Sequence, residues 1–125
     1  METRKIKFNE EYWKSIHYER KTTTIRLTDK NLRAGDKVKA VFLTYAGEEY
    51  GDDYKYPQTL LIKRISEIQV KNLTEDDAKR EDCKNLNELL NILSNIYPEL
   101  RLNDKVYIFH FENLDRYVPI NEKWI

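Results

Sequence analysis

Apolar residues recur along this chain at two spacings, and the change from one to the other marks out its elements. Ile6 and Phe8 alternate with Lys5 and Lys7, the period of a short first strand. Tyr12, Trp13, Ile16 and His17 then fall at helical spacing over residues 10–18, with Asn9 placed to cap and Glu10 and Glu11 suited to the positive end of the dipole. Alternation returns with Val38, Ala40 and Phe42, which predict a strand over residues 37–45. The longest β-like run covers 58–70. Its Leu60 and Ile62 are followed by Ile65, Ile68 and Val70, so strict alternation breaks near residues 64–66 and predicts a bulge or two successive strands.

Two helices follow. Thr74 before Glu75, Asp76 and Asp77 has the composition of a capped helix start, and that helix carries Glu81 near its end. The second begins after Asn85, with Glu88 three residues on. Leu86, Leu89, Leu90, Leu93, Ile96 and Tyr97 form one apolar stripe ending at Pro98, read as core rather than as a partner surface. Residues 104–111 set Val106, Ile108 and His110 against Tyr107, Phe109 and Phe111. Apolar residues on both faces imply a central position in a closed sheet. Between these elements, residues 28–35 predict a turn or short helix ending at Gly35. Residues 46–57 read as an exposed connection, because Gly47, Gly51 and the acids Glu48, Glu49, Asp52 and Asp53 cannot build a core. Tyr45, Tyr50, Tyr54 and Tyr56 stand in or beside it, where they either stack on a base or a neighbouring chain or decorate a hairpin tip.

Length and composition narrow the class. A chain of 125 residues fits one domain with a single hydrophobic core, and 35% charged residues suit a charge-dense surface. No apolar run approaches 18 residues, so no membrane span is expected, and the charged start does not resemble a signal peptide. The lone Cys83 cannot form an intrachain disulfide, which makes a cytoplasmic location the default expectation. Net charge is zero and gives no bulk argument for nucleic acid. Residues 1–40, however, hold 11 Lys and Arg against 6 Asp and Glu, a surplus that attracts phosphate if it gathers on one face. His17 and His110 have no neighbouring His or Cys at metal-ligand spacing. They read as packed, hydrogen-bonded histidines, and neither a metal nor a cofactor is expected.

The densest polar cluster is Glu19-Arg20-Lys21-Thr22-Thr23-Thr24-Ile25-Arg26. Three threonines and an isoleucine in succession favour a strand over 22–26, since β-branched side chains lose rotamer freedom in a helix. On a regular strand Thr22, Thr24 and Arg26 share one face and Lys21 and Thr23 the other. Lys21 and Thr24 therefore meet only if the backbone bends near Lys21. The plain alternative is an edge strand whose Lys and Arg are solvated.

That cluster, a Phe8-containing opening, Leu32-Arg33-Ala34-Gly35-Asp36-Lys37-Val38, Asn72-Leu73-Thr74-Glu75, Tyr97-Pro98 and a closing aromatic strand together resemble the ASCH domain family over about residues 8–111. The resemblance implies an α+β chain with a PUA-like mixed β-barrel and two or three flanking helices. It makes residues 1–125 one domain with 113–125 as a C-terminal extension, packed against the barrel or a second subunit. Within the family the chain is most similar to small bacterial amidohydrolases that act on N4-acetylcytidine. Lys21, Thr24 and Glu81 fall on their proposed catalytic positions, as base, nucleophile and acid, and Arg20, Thr22 and Arg26 become candidates for holding substrate. Glu19 departs from the pattern, standing where the family usually has a helix-ending glycine.

Such chemistry sets physical demands. A threonine hydroxyl needs a base to remove its proton, and a lysine is a base only when it has lost its own. A carboxyl group protonates a leaving nitrogen only when it carries a proton. A Lys21–Glu81 ion pair works against both, and the sequence leaves that point open. The implied partner is a modified nucleoside or RNA, with oligomeric state undetermined. The alternative function is a non-catalytic RNA-binding module of PUA-like type, in which the same basic cluster contacts phosphate or a flipped base. A regulatory domain binding another small ligand is the third possibility.

Overall fold

The computed structural model describes residues 4–50 and 58–117. Five strands form one mixed sheet: β1 (Lys5–Asn9), β2 (Thr23–Arg26), β3 (Lys37–Leu43), β4 (Gln58–Gln69) and β5 (Lys105–Asn113), in the spatial order β1-β3-β4-β5-β2. Among the described residues only the β1–β3 pair is parallel, with Ile6 opposite Ala40 and Phe8 opposite Phe42. The other pairs are antiparallel. Three helices flank the sheet: α1 (Trp13–His17), α2 (Glu75–Arg80) and α3 (Leu86–Ile96).

β4 is the strand on which the curvature depends. Its first residues pair with β3, and almost its whole length pairs with β5. The register with β5 shifts between Ile62 and Arg64, the interruption expected from the broken alternation. A bulge bends the strand that carries it and increases the local twist. The two edge strands, β1 and β2, are tied by a side chain: Arg26 Nη2 donates to the carbonyl of Lys7 at 2.6 Å, and its guanidinium lies 5.1 Å from the centre of the Phe8 ring. An arginine thus bridges the seam where a backbone ladder would complete a barrel.

Alternation on β5 and β2 divides the core in two. Phe109 and Phe111 join Ile6, Phe8, Trp13, Ile16, Val38, Phe42, Leu60 and Ile62 on one side. Val106, Ile108 and Ile25 join Ala78, Leu89 and Leu93 of the helices on the other. Both faces of β5 are therefore covered, as its doubly apolar pattern required. Each fully buried aliphatic side chain in these clusters contributes roughly 1.5–3 kcal/mol. No helix is long and apolar enough to cross a membrane among the described residues.

Local structure follows the sequence with instructive exceptions. Thr74 and Asp77 form a reciprocal capping box on α2, and the Asn85 side chain accepts the Glu88 amide at 2.9 Å to cap α3. The first helix is split: residues 10–12 form a 3-10 turn before α1, and Asn9 makes no side-chain cap. Residues 28–35 form turns rather than a helix, with Lys30, Asn31 and Gly35 at positive φ. Asn113 is not part of an extension. It is buried in β5 and donates to the Ile16 carbonyl at 3.1 Å and to the Gln58 side chain. Beyond it, the Tyr117 amide reaches the His17 carbonyl at 2.9 Å. Tyr54, Tyr56 and Trp124 lie outside the described residues.

Glu19 adopts φ +56°, the left-handed conformation in which glycine carries no Cβ penalty. α1 still ends cleanly, because the amides of Arg20 and Lys21 both donate to the Ser15 carbonyl, at 2.8 and 3.0 Å. The departure at this position costs backbone strain without losing the turn. Glu19→Gly is therefore expected to raise the unfolding free energy by about 1 kcal/mol and Tm by about 4 °C. Urea denaturation reads this directly, and a lower midpoint for the variant would show that the left-handed residue carries no strain.

Candidate functional site

The turn after α1 delivers Lys21 into the protein rather than onto its surface. Lys21 forms an isolated antiparallel bridge with Glu81, and the Thr22 amide donates to the Arg80 carbonyl at 2.8 Å. The regular strand begins only at Thr23. The bend that lets Lys21 and Thr24 face one space is this two-residue interval, docked against the last turn of α2. Glu81 is the residue that ends α2, held there by its amide's bonds to the Asp77 and Ala78 carbonyls.

Lys21 Nζ donates to Glu81 Oε1 at 3.1 Å, with both side chains more than nine-tenths buried. Thr23 donates its hydroxyl to Glu81 Oε2. Both carboxylate oxygens are thus engaged, one by a cation and one by a hydroxyl. The Lys21 ammonium also lies 5.1 Å from the centre of the Tyr12 ring, a favourable cation–π position. Thr24, buried at 4% exposure, accepts a hydrogen bond from Arg26 Nε at 3.0 Å. Because that bond occupies an acceptor site on Oγ1, the hydroxyl proton of Thr24 is left to donate elsewhere.

These groups line one cavity of about 210 Å³. Lys21, Thr24, Arg26 and Glu81 share it with Tyr12, Asn9 and Leu43 and with Ile92, Leu93, Ile96 and Tyr97 of the α3 face. It opens at the seam between β1 and β2, where the sheet leaves room that no ladder fills. The apolar stripe of α3 is accordingly shared: Leu89 and Leu93 belong to the core and also border the cavity, and Ile96 and Tyr97 extend its wall.

Burial lowers the pKa of the Arg26 guanidinium and raises that of the Tyr12 phenol, whose hydroxyl stays protonated at neutral pH. Cys83 stands near the pair, and burial, reinforced by Glu81, pushes its thiol up to about 11. A protonated thiol is no nucleophile at neutral pH.

The six sequence candidates separate cleanly. Lys21, Thr24, Arg26 and Glu81 converge on the cavity, and Arg20 and Thr22 do not. Arg20 is exposed and faces Asp82 at 3.5 Å, while Thr22 lines a separate groove with His110. Tyr12, Thr23 and Ile92 are site residues that sequence reasoning missed. In the sequence Tyr12 reads as part of a helical stripe, and a regular strand puts Thr23 on the face opposite Thr24. Ile92 carried no signal beyond being apolar. His17 stacks on Trp13 at 4.7 Å between ring centres and bonds Gln58 through Nδ1 at 3.2 Å, a packed histidine. No group of three or more His, Cys, Asp or Glu arranged to hold a metal ion occurs among the described residues.

No protein-family model and no curated protein matches the chain. Solved structures do. The hypothetical protein PH0355 superposes with a TM-score of 0.62 at 16% identity, over 90% of this chain and all of that one. The protein EF3133 from Enterococcus faecalis V583 gives 0.56 at 14% identity, over 85% of this chain and 71% of that one. An ASCH domain from Lactobacillus crispatus JV V101 gives 0.54 at 18%, over 80% and 68%. What is shared at these identities is the fold: this chain is an α+β protein with the architecture of an ASCH domain.

Breaking the buried pair from one side leaves a charge without its partner, which costs about 3–5 kcal/mol. Lys21→Met is expected to lower the unfolding free energy by about 3 kcal/mol at neutral pH. Adding Glu81→Leu is expected to restore about 2 kcal/mol of that loss. Chemical denaturation of the two single variants and the double variant completes the cycle, and additive losses would mean that the two groups do not interact.

Proposed function

We propose, with the ASCH-type fold as premise, that this chain is an amidohydrolase that removes the acyl group from N4-acetylcytidine or a related acylated cytosine. One observation carries the reading: an amine, a hydroxyl, a guanidinium and a carboxyl group, from Lys21, Thr24, Arg26 and Glu81, line a single small cavity. Its volume of about 210 Å³ lies below the roughly 300–1,000 Å³ of sites that enclose drug-sized ligands. A pyrimidine ring with its acyl group suits that space, with the sugar at the rim. Tyr12, Ile92, Leu93 and Tyr97 offer the ring apolar and aromatic surface.

The ion pair supplies both catalysts. Moving one proton from Lys21 Nζ to Glu81 Oε1, across 3.1 Å, leaves a neutral amine and a carboxylic acid at once. Lys21 then takes the Thr24 proton as Oγ attacks the acyl carbonyl. As the carbon–nitrogen bond breaks, the cytosine amino nitrogen takes the proton from Glu81. Lys21 and Glu81 are now an ammonium and a carboxylate, and Thr24 carries the acyl group. A water gives its proton to Glu81 and its oxygen to the acyl carbon. Oγ leaves with the proton from Lys21, and the carboxylic acid departs. Arg26 holds the Thr24 oxygen and stabilises charge that develops beside it. Arg20 and Thr22 take no part.

Chromatography of cytidine released from N4-acetylcytidine by the purified chain tests this. Turnover is expected, with Thr24→Ala lowering kcat/KM by about 10³-fold or more while nucleoside affinity stays within about threefold. Undiminished turnover in Thr24→Ala would remove the nucleophile. If no acylated cytidine is turned over while RNA binds with strong salt dependence, the chain is a non-catalytic RNA-binding module instead.

A further inference from the structure

A second polar concavity lies away from the cavity just described, and the β4 bulge builds it. In a regular strand Lys63 and Arg64 would point to opposite faces. The register shift passes from Ile62, opposite Phe111, to Arg64, opposite His110, and leaves Lys63 without a partner in β5. Both cations consequently line one groove of about 650 Å³, together with Thr22, His110 and Arg116. Both are exposed, and among the described residues neither makes an ion pair. Two carboxylates share the groove. Glu112 is engaged by Arg116 at 3.4 Å, and Glu19 stands at the turn after α1.

We propose that this groove is a phosphate-binding site in which Lys63 and Arg64 grip the anion and Arg116, Thr22 and His110 complete its walls. The chemistry is that of a phosphate ester, whether the monoester of a nucleotide or the diester of a single-stranded RNA backbone. Two adjacent unpaired cations brought to one side by a bulge are suited to such an ion, and Arg64 adds the forked donor geometry that phosphate oxygens accept. His110 is the internal reporter. Its Nε2 lies 3.4 Å from Ser66 Oγ, and its imidazole pKa is lowered by burial and by the charges of Arg64 and Arg80, opposed by Asp77. An anion settling between Lys63 and Arg64 offsets the Arg64 charge and returns the imidazole upward. The site does not depend on the proposed hydrolase activity, since none of these residues touches the Lys21–Glu81 cavity.

The test uses the full chain and a Lys63→Gln/Arg64→Gln variant, both positions being exposed and away from the core. The His110 imidazole is titrated by NMR with and without inorganic phosphate or cytidine 5′-monophosphate. Binding of a short labelled single-stranded RNA is followed by fluorescence anisotropy across a range of salt. An upward shift of the His110 midpoint with phosphate or the mononucleotide, absent in the variant, identifies a monoester site. RNA binding that weakens about tenfold in the variant, with the slope of log affinity against log salt reduced by about 1.4 for two lost contacts, identifies a backbone site. A His110 midpoint unmoved by either phosphate, combined with RNA binding that is absent or equal in the two proteins, overturns the proposal.

Discussion

The buried ion pair between Lys21 and Glu81 is the constraint around which the rest of this molecule is arranged. Two charges more than nine-tenths removed from water are tolerated only when each finds a partner and the remaining lone pairs are satisfied. Thr23 and the Tyr12 ring meet that demand on either side. Holding the pair together requires α1 to end before the left-handed turn at Glu19, α2 to stop at Glu81 and the chain between residues 21 and 23 to lie against the end of α2. The end of α1 with the segment that follows it, and α2 some sixty residues on, are therefore positioned by one contact. That positioning also keeps the Thr24 hydroxyl beside the pair rather than on an exposed edge.

The second organising feature is the incomplete closure of the sheet. A ladder between β1 and β2 would bury both edges and leave no cavity. Instead Arg26 reaches from one edge to a carbonyl of the other, stacks on Phe8 and donates to Thr24. One long side chain does what several backbone hydrogen bonds would do elsewhere, and the space it spares is the space the candidate site occupies. The β4 bulge works in the same way on another part of the sheet: a local interruption of pairing turns a strand into a surface with chemistry on it.

Much of this was legible in advance where a residue's fate depends on its near neighbours. The alternation of Ile6 and Phe8, of Val38, Ala40 and Phe42, and the double-faced pattern of β5 all report burial, and burial is periodic in a strand. Thr74 and Asn85 marked helix starts because capping is settled within four residues. The broken alternation near residues 64–66 announced a bulge or two successive strands, and the structure has one strand with the shift between Ile62 and Arg64. Asn9 misled because its extended conformation was right but its side chain is not used. Asn113 misled for the opposite reason: a polar residue near the end of the chain gave no sign that Ile16 and Gln58 would bury it.

The site divides along the same line. Residues 21–26 and the helix bearing Glu81 were identifiable from residue type, order and resemblance. Whether Lys21 would be a free amine or half of an ion pair, and whether Arg20 and Thr22 would join it, was not written locally. By itself the sequence determined the strands, the capped helices and the polar segment beside them, because propensity, period and capping act over a few residues. Only the tertiary structure decided which charges would be buried together, which threonine would serve Glu81 and which would face the cavity. Those outcomes depend on where a left-handed turn and the end of α2 direct side chains toward partners up to sixty residues away.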